Sequence, residues 1–195
     1  MNTRDKIINI ADKFFYEKGF ENTSFADIAA NLNISRGNFY HHFKTKDEIL
    51  DEVIKQRLKN TQNMVDNWDL ENENPAARLK TFVKILIRNQ SKIMEFGCPV
   101  GTLCTELSKL NHKAQNDANE LFILFQTWMV RQFNQIEIYE NANKHAMHLL
   151  MRTQGMAVIA NAFRDENFVQ TEVDNACSWI DEIIEKEGKN VRNLS

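Results

Sequence analysis

The stretch NTSFADIAANLNISRGNFYHHFKTKDEIL, residues 22–50, predicts two short helices that are joined by a tight turn. Ser24 can cap the first helix, and Asp27 lies three residues further on, where it completes a capping box. Ser35 can cap the second helix, which ends near His42. This combination has the proportions of a helix-turn-helix unit, in which the second helix enters the major groove of DNA.

The second of these helices lies in a short basic patch. No acid occurs between Asp27 and Asp47. The segment between them contains, besides two histidines, the cations Arg36, Lys44 and Lys46. The whole chain, in contrast, has 24 Lys and Arg against 27 Asp and Glu, a net charge of -3. On charge alone, such a patch is as typical of a solvated surface as of a phosphate-binding one, and its place in the motif favours phosphate binding.

The remainder of the chain predicts longer helices and no strand. Gly and Pro, which interrupt helices, number only 6 and 2 in 195 residues. Because apolar residues recur at helical spacing from Ile7 onwards, we predict an all-α fold of about nine helices. We expect residues 1–46 to form a three-helix helix-turn-helix DNA-binding domain, and residues 47–195 to form a larger helical domain.

Capping signals predict several boundaries in the larger domain. Pro75 is expected to begin a helix that reaches about Phe96. Asn111 is a candidate cap for the long helix that follows. Thr171 and Asp174 have the spacing of a second capping box, which would open the last helix.

Residues 22–50 closely resemble the DNA-binding domain of the tetracycline-repressor (TetR) family. The resemblance is carried by Thr23-Ser24, Asp27-Ile28-Ala29, Ser35, Gly37, Phe39-Tyr40, Phe43 and Lys46. Beyond Leu50 it is limited to the helical pattern. It implies a homodimeric transcriptional regulator without enzymatic activity, a repressor that leaves a palindromic operator when its larger domain binds a small-molecule effector.

The candidate DNA contacts are Ser24, Ser35, Arg36, Gly37, Asn38, Tyr40, His41 and Lys46. Arg36 can bind guanine with its forked guanidinium, and Asn38 can pair with adenine or reach a phosphate. Ser24 stands at a helix N-terminus, where the first amides can hold a phosphate. Gly37 lets the helix backbone lie close to the bases. The Tyr40 hydroxyl and the side chains of His41 and Lys46 are expected to contact phosphates.

An effector pocket is predicted among aromatic and methionine side chains of the larger domain, which line apolar pockets and also fill ordinary cores. The candidates are Met94, Phe96, Cys98, Cys104, Phe125, Trp128, Met129 and Gln154. An alternative keeps the fold and makes Cys98, at a helix break, a thiol sensor of oxidants or electrophiles. Its competitor is that both cysteines are buried and inert. A third interpretation, from another class, is a helical enzyme or adaptor with a degenerate DNA head.

Apolar stripes on the last two helices are the predicted dimer interface, because TetR regulators form a four-helix bundle from two helices of each subunit. The candidates are Met147, Leu150, Met151, Val158, Ile180 and Ile184. The competing interpretation is that both stripes face the core of their own subunit.

Nothing in the sequence predicts a membrane or secreted protein. The longest unbroken apolar runs are Leu121–Phe125 and Met156–Ala160, far short of the roughly 20 residues that a membrane-spanning helix needs. Three cysteines are too few for a disulfide scaffold. We expect a cytoplasmic protein whose partners are double-stranded DNA, a second copy of the chain and a small-molecule effector, with no cofactor, no metal and no membrane contact.

Overall fold

The computed structural model describes residues 2–192, and the side chains of residues 2–187. Within that range the chain forms ten helices and no strand. The helices are α1 Thr3–Lys18, α2 Phe25–Asn31, α3 Arg36–His42, α4 Lys46–Glu71, α5 Pro75–Arg88, α6 Gln90–Phe96, α7 Pro99–Lys109, α8 Gln115–Gln135, α9 Ala142–Phe163 and α10 Glu166–Arg192. This architecture confirms the predicted all-α fold class. None of the described helices is long and apolar enough to cross a membrane.

The helices divide into two compact units. The first unit combines the chain up to Asn60 with Pro99–Leu121, so it contains α1–α3, the first part of α4, α7 and the beginning of α8. The second unit combines Thr61–Cys98 with the chain from Phe122 onwards. The first unit therefore includes residues that lie far beyond the helix-turn-helix stretch in sequence.

The core of the first unit is built on one face of α1. Ile7, Ala11 and Phe15 are buried there, at the spacing of successive helical turns. Phe39 of α3 and Phe43, the C-cap of that helix, are each 1% exposed. These two rings fix α3 to the rest of the unit, so the opposite face of α3 is left to solvent.

The second unit has a core of large apolar side chains from four helices. α10 packs against α5 and α9, and α6 packs against α9. Fully buried members of this core include Leu79, Val83, Met129, Phe133, Leu149, Ala157 and Ile180. α8 contributes Met129 and Phe133 to this core, whereas Ile123 on the same helix is 47% exposed.

Two asparagines follow the ends of helices, although the sequence predicts that the first lies within a helix and that the second begins one. Asn89 has φ -110° and ψ 15°, and it separates α5 from α6 within the segment predicted as one helix. Asn111 has φ 49°, a left-handed conformation that asparagine adopts more readily than most residues. It follows the end of α7, and α8 begins only at Gln115. The prediction that Asn111 caps the next helix is therefore wrong.

The last helix begins earlier than its predicted capping box. α10 starts at Glu166, and the Asp165 carboxylate accepts hydrogen bonds from the backbone N–H groups of Asn167 (2.9 Å) and Phe168 (3.2 Å). Thr171 lies inside the helix, where its hydroxyl donates to the Asn167 carbonyl. The prediction that Thr171 and Asp174 form a capping box is therefore wrong, because Asp165 caps the helix and both residues lie inside it.

Candidate nucleic-acid interface

The predicted capping box at the start of α2 is present. The backbone N–H of Asp27 donates to Ser24 Oγ at 3.2 Å, and the backbone N–H of Ser24 donates to Asp27 Oδ2 at 3.0 Å. The hydrogen bond from the Ser24 hydroxyl, together with that from its backbone, lowers the pKa of the Asp27 carboxyl below its ordinary value. Ser24 itself is exposed, so the N-terminus of α2 is open to solvent.

α3 presents its polar residues outward and its apolar residue inward. Ser35 caps the helix by accepting a hydrogen bond from the Asn38 N–H at 3.2 Å. The exposed residues are Ser35, Arg36, Gly37, Asn38, Tyr40 and His41, all of which are predicted DNA contacts. Tyr40 is 47% exposed, and its ring packs edge-on against Phe25 with 5.6 Å between centroids. The structure therefore brings six of the eight predicted contacts to one surface.

This surface of α3 is free of acidic side chains. α3 contains no Asp or Glu, and His41 and His42 lie in its last turn. Among the described residues, no carboxylate pairs with Arg36. The guanidinium of Arg36 and its five donors are consequently available to an external acceptor.

Lys46, the first residue of α4, has a structural partner that the sequence does not reveal. Its ammonium donates to the carbonyl oxygens of Phe20 (2.9 Å) and Glu21 (3.1 Å), and it lies 4.4 Å from the centre of the Phe20 ring. An ammonium has three N–H donors, so one remains for a further acceptor. Lys46 thus holds the α1–α2 loop, in addition to its predicted contact with phosphate.

The residues predicted to line an effector pocket are divided between the two units. Cys104 belongs to the first unit, where it is buried and its Sγ lies 3.5 Å from the carbonyl oxygen of Ala118. The other seven belong to the second unit. Of these, Phe125 packs on Phe82 with 5.2 Å between centroids, and Met129 is fully buried. Burial at these positions matches the core interpretation as well as it matches a pocket wall.

Polar contacts tie down four further residues of that set. The Trp128 indole N–H donates to Asp69 at 3.1 Å. Gln154 donates from Nε2 to the Cys98 Sγ at 3.5 Å. The Met94 carbonyl accepts a hydrogen bond from the Asn161 side chain at 3.0 Å, and Phe96 is half-buried. Nothing in these contacts supports a thiol sensor at Cys98, and we do not retain that alternative.

The predicted dimer residues separate into exposed and buried groups. Met147, Met151 and Val158 of α9 are 50%, 60% and 65% exposed. Leu150 and Ile180 are 7% and 0% exposed, because they face the core of the second unit, and Ile184 is half-buried. We therefore remove Leu150 and Ile180 from the candidate interface.

α9 also exposes apolar residues that sequence reasoning missed. Ile159 and Phe163 are 38% and 74% exposed. They are four positions apart, so they form a second exposed apolar stripe beside that of Val158. The hydrophobic pattern of α9 could have suggested them, but it does not distinguish an exposed stripe from a buried one.

The two histidines of α9 have partners within the second unit. His145 Nε2 lies 2.8 Å from Glu187 Oε1, and the His148 ring packs against Trp179 with 4.7 Å between centroids. Burial, followed by the charges of Arg152 and His145, lowers the pKa of His148 below its ordinary value. In the part of the chain that the structure describes, no group of three or more His, Cys, Asp or Glu side chains could hold a metal ion.

Known proteins resemble this chain in both sequence and fold. A family model described as "Bacterial regulatory proteins, tetR family" matches residues 7–53. The chain is 28% identical over 189 residues to an uncharacterized HTH-type transcriptional regulator in the lacX 3' region of Lactococcus lactis subsp. lactis, a match that covers 95% of this chain and 96% of that relative. It is 40% identical over 52 residues to IcaR of Staphylococcus aureus strain Newman, a negative transcriptional regulator of the biofilm operon icaADBC, which covers 27% of this chain and 28% of IcaR.

A solved structure extends the likeness of fold over nearly the whole chain. The crystal structure of a TetR transcriptional regulator from Legionella pneumophila matches with a TM-score of 0.81 at 19% identity, and the match covers 94% of this chain and 97% of that one. An identity this low supports a common fold and nothing finer.

Fold and site together define a class, a DNA-binding protein with a helix-turn-helix head. Within that class, residues 7–53 match the tetR family of bacterial regulatory proteins, and nearly the whole chain is similar to a transcriptional regulator. This assignment confirms the family that residues 22–50 indicate. It also favours a regulator over the helical enzyme or adaptor.

Proposed function

We propose that this regulator is a homodimeric repressor, which binds a palindromic operator through α3 of each subunit and is released by a small-molecule effector. The observation that carries the proposal is the exposed face of α3, which has polar and basic side chains and no acid. DNA carries about one negative charge per 1.7 Å of helix axis, so a surface without acids can approach it without repulsion.

Each predicted contact has a chemical role in this proposal. Arg36 forks onto guanine O6 and N7, and Asn38 pairs with adenine or a phosphate. Tyr40 donates its hydroxyl to a phosphate. Ser24 and the first amides of α2 hold another phosphate. His41 and the remaining donor of Lys46 add contacts to the backbone of the DNA.

Gly37 supports a close approach between α3 and its partner. A Cβ at this position would meet no atom within 4 Å, so packing inside the subunit does not require a glycine. A glycine inside a helix costs roughly 0.5–1 kcal/mol relative to alanine. A close approach to the bases explains a glycine here, because the methyl group of an alanine at position 37 would hold the α3 backbone further from the DNA groove.

Dimerisation supplies the second reading helix. A single helix-turn-helix unit covers only a half-site, and two units read half-sites one helical turn, about 34 Å, or a multiple of it apart. Met147, Met151 and Val158 give α9 an exposed apolar face, and a second copy of that face is a partner of the same chemistry. Gly155 lies on this face between the last two, and its added Cβ would also meet no atom within 4 Å.

Repression is proposed from similarity to relatives, and release by an effector from the resemblance of residues 22–50 to TetR regulators. IcaR, whose match covers the DNA-binding region, is a negative regulator of transcription. We place the effector site in the second unit, among Phe125, Trp128, Met129, Gln154 and their neighbours, since aromatic and methionine side chains accommodate apolar ligands. Such a regulator acts in the cytoplasm, where it meets the chromosome.

A reporter assay tests this function. The reporter gene follows a promoter that overlaps a site selected by the protein from random DNA. Expression of the wild-type chain should lower reporter output, whereas expression of the Arg36→Ala variant should not. An increase in output would show an activator. Equal output with the two proteins would contradict sequence-specific regulation through α3.

A further inference from the structure

The loop between α1 and α2 is held in a tight turn by hydrogen bonds between its own residues. Gly19 ends α1, and Ser24 caps α2. Between them, Thr23 is 2% exposed, and its hydroxyl donates to the Gly19 carbonyl at 2.8 Å. The Thr23 N–H also donates to the Phe20 carbonyl at 3.2 Å. Because the loop is this tight, its position determines where α2 begins.

Glu106 of α7 binds the backbone of this loop with both carboxylate oxygens. Oε2 accepts the N–H of Phe20 at 2.9 Å, and Oε1 accepts the N–H of Glu21 at 2.9 Å. Hydrogen bonds to an ionised carboxylate are roughly twice as strong as those between neutral groups. The contact joins residues that lie 85 and 86 positions apart, and all of them belong to the first unit.

Gly19 makes room for the Glu106 carboxylate. A Cβ at Gly19 would lie 3.0 Å from Oε1 and 3.3 Å from Oε2 of Glu106. Its φ of 90° is also a conformation that residues with a side chain rarely adopt. The loop therefore has the one residue type that permits both its own shape and the approach of the carboxylate.

The opposite edge of the same loop is held by α4 and by the segment after α7. Lys46 binds the carbonyls of Phe20 and Glu21, while the His112 ring packs edge-on against the Phe20 ring with 5.1 Å between centroids. His112 Nδ1 accepts the N–H of Ala114, so the proton is on Nε2, which lies 3.3 Å from Asp47 Oδ1.

Asp47 completes this attachment at the start of α4. Burial by itself raises the pKa of the Asp47 carboxyl, but hydrogen bonds from Lys113 and His112, together with charge interactions with the same two residues, leave the pKa below its ordinary value. The ionised Asp47 carboxylate forms an ion pair with Lys113, with 3.1 Å between Oδ2 and Nζ. Glu106 of α7 therefore binds amides of the loop, Lys46 of α4 binds its carbonyls, and the segment after α7 binds Asp47 in the first turn of α4.

We infer that Glu106 is a positioning residue for DNA binding, which holds the α1–α2 loop in place and thereby sets the orientation of α2 and α3. The inference rests on the proposed reading surface of α3. Glu106 does not touch DNA in this account. It acts through two backbone amides, and the Ser24 capping box and the exposed face of α3 follow directly along the chain.

The test compares Glu106→Gln with Glu120→Gln. Glu120 is an exposed residue of α8 in the same unit, so both variants lose one negative charge. Charge alone predicts slightly tighter DNA binding for both. A positioning role predicts that Glu106→Gln binds the selected DNA site about tenfold more weakly, while its affinity for an unrelated duplex is not lowered. Glu120→Gln should keep the wild-type ratio of the two affinities.

Glu106→Asp separates geometry from charge. It keeps the net charge, but the shorter side chain does not reach both amides, so its affinity ratio should also fall. Faster hydrogen exchange at the Phe20 and Glu21 amides should accompany the loss. If Glu106 has only a structural role, both variants should have a lower melting temperature, but the folded protein should keep the wild-type ratio of affinities for the selected site and the unrelated duplex.

The outcomes separate this inference from the proposed function. A preferred site for the wild type, with an unchanged ratio in both Glu106 variants, contradicts the inference alone. No preferred site for the wild type contradicts the proposed function, and the inference is then overturned with it.

Discussion

Helices α3 and α9 each leave one face uncovered, and the two faces differ in chemistry. α3 buries Phe39 and exposes Arg36 and Asn38. α9 buries Leu149 and exposes Met151. A basic, polar face suits a polyanion, whereas an apolar face suits another apolar surface. The comparison supports the proposal that the chain has two partners, DNA at α3 and a second copy at α9, which would be bound through different physical interactions.

A glycine stands on each of these faces. A side chain at Gly37 or Gly155 would meet open space, so neither position demands glycine for packing within the subunit. Both lie inside helices, where alanine is favoured. In the proposed function, Gly37 lets the DNA groove come close to α3, and Gly155 lets a second copy of α9 come close.

Salt should separate the two partnerships most strongly. If the dimer contacts about six phosphates, DNA affinity should fall about a thousandfold between 50 and 200 mM salt, because counterions compete for the phosphates. Contacts between apolar faces are not screened, so the dimer should persist. Fluorescence anisotropy measures the first and analytical ultracentrifugation the second. A parallel loss of both would show that the dimer contact is also electrostatic.

Val158→Glu should break the α9 face. Val158 is 65% exposed, so the substitution leaves the core intact, but a dimer would have to bury two carboxylates there. We expect monomers in light scattering and a loss of about a hundredfold in affinity for a two-half-site DNA, since the second head no longer adds its binding. Leu70→Glu is the matched control, because Leu70 is 83% exposed on α4. A dimeric Val158→Glu protein would exclude this face.

Arg36→Ala should break the α3 face alone. Loss of a bidentate contact with guanine costs about 1–3 kcal/mol, or roughly five- to 150-fold in specific affinity. Arg88→Ala, at an exposed position of α5, removes the same charge from the second unit and should leave affinity nearly unchanged. Binding titrations with the selected site measure both. Equal effects of the two variants would mean that Arg36 acts only through net charge.

Substitution of the two glycines should have the smallest effects. In each variant the stability of the subunit should rise while binding to one partner weakens. Gly155→Ala, in the middle of α9, should raise the free energy of unfolding of the subunit by about 0.5–1 kcal/mol. Gly37→Ala should raise it by less, because Gly37 is the second residue of α3. Gly37→Ala should weaken DNA binding and leave dimerisation unchanged, and Gly155→Ala should weaken dimerisation. Urea denaturation and the two binding measurements report these quantities. A stabilised variant with unweakened partner binding would show that its glycine does not serve close approach.

Local signals made the DNA-binding head predictable. The Ser24–Asp27 box and the Ser35 cap depend on residues three positions apart, and both form as expected. Long-range contacts left no such signal. The Glu106 carboxylate meets amides 85 and 86 residues away, and no periodicity in the sequence records which acid will do so.

Patterns with two physical meanings account for the other differences. Leu150 and Met151 are neighbours on α9 and equally apolar, yet one is buried and the other exposed, because only tertiary packing decides which side of the helix is covered. Thr171 and Asp174 have the spacing of a capping box, but Asp165 had already opened the helix. Asn111 can cap a helix or adopt a left-handed conformation, and the structure has the second.

Selection of bound sequences from random double-stranded DNA, with the purified wild-type chain at moderate salt, tests the central claim most directly. The account predicts enrichment of an inverted repeat whose half-site centres are about one helical turn, or a multiple of it, apart. Enrichment of a single unrepeated half-site would contradict a dimer that reads with two α3 helices. Recovery of no sequence above background would contradict specific reading by α3 altogether.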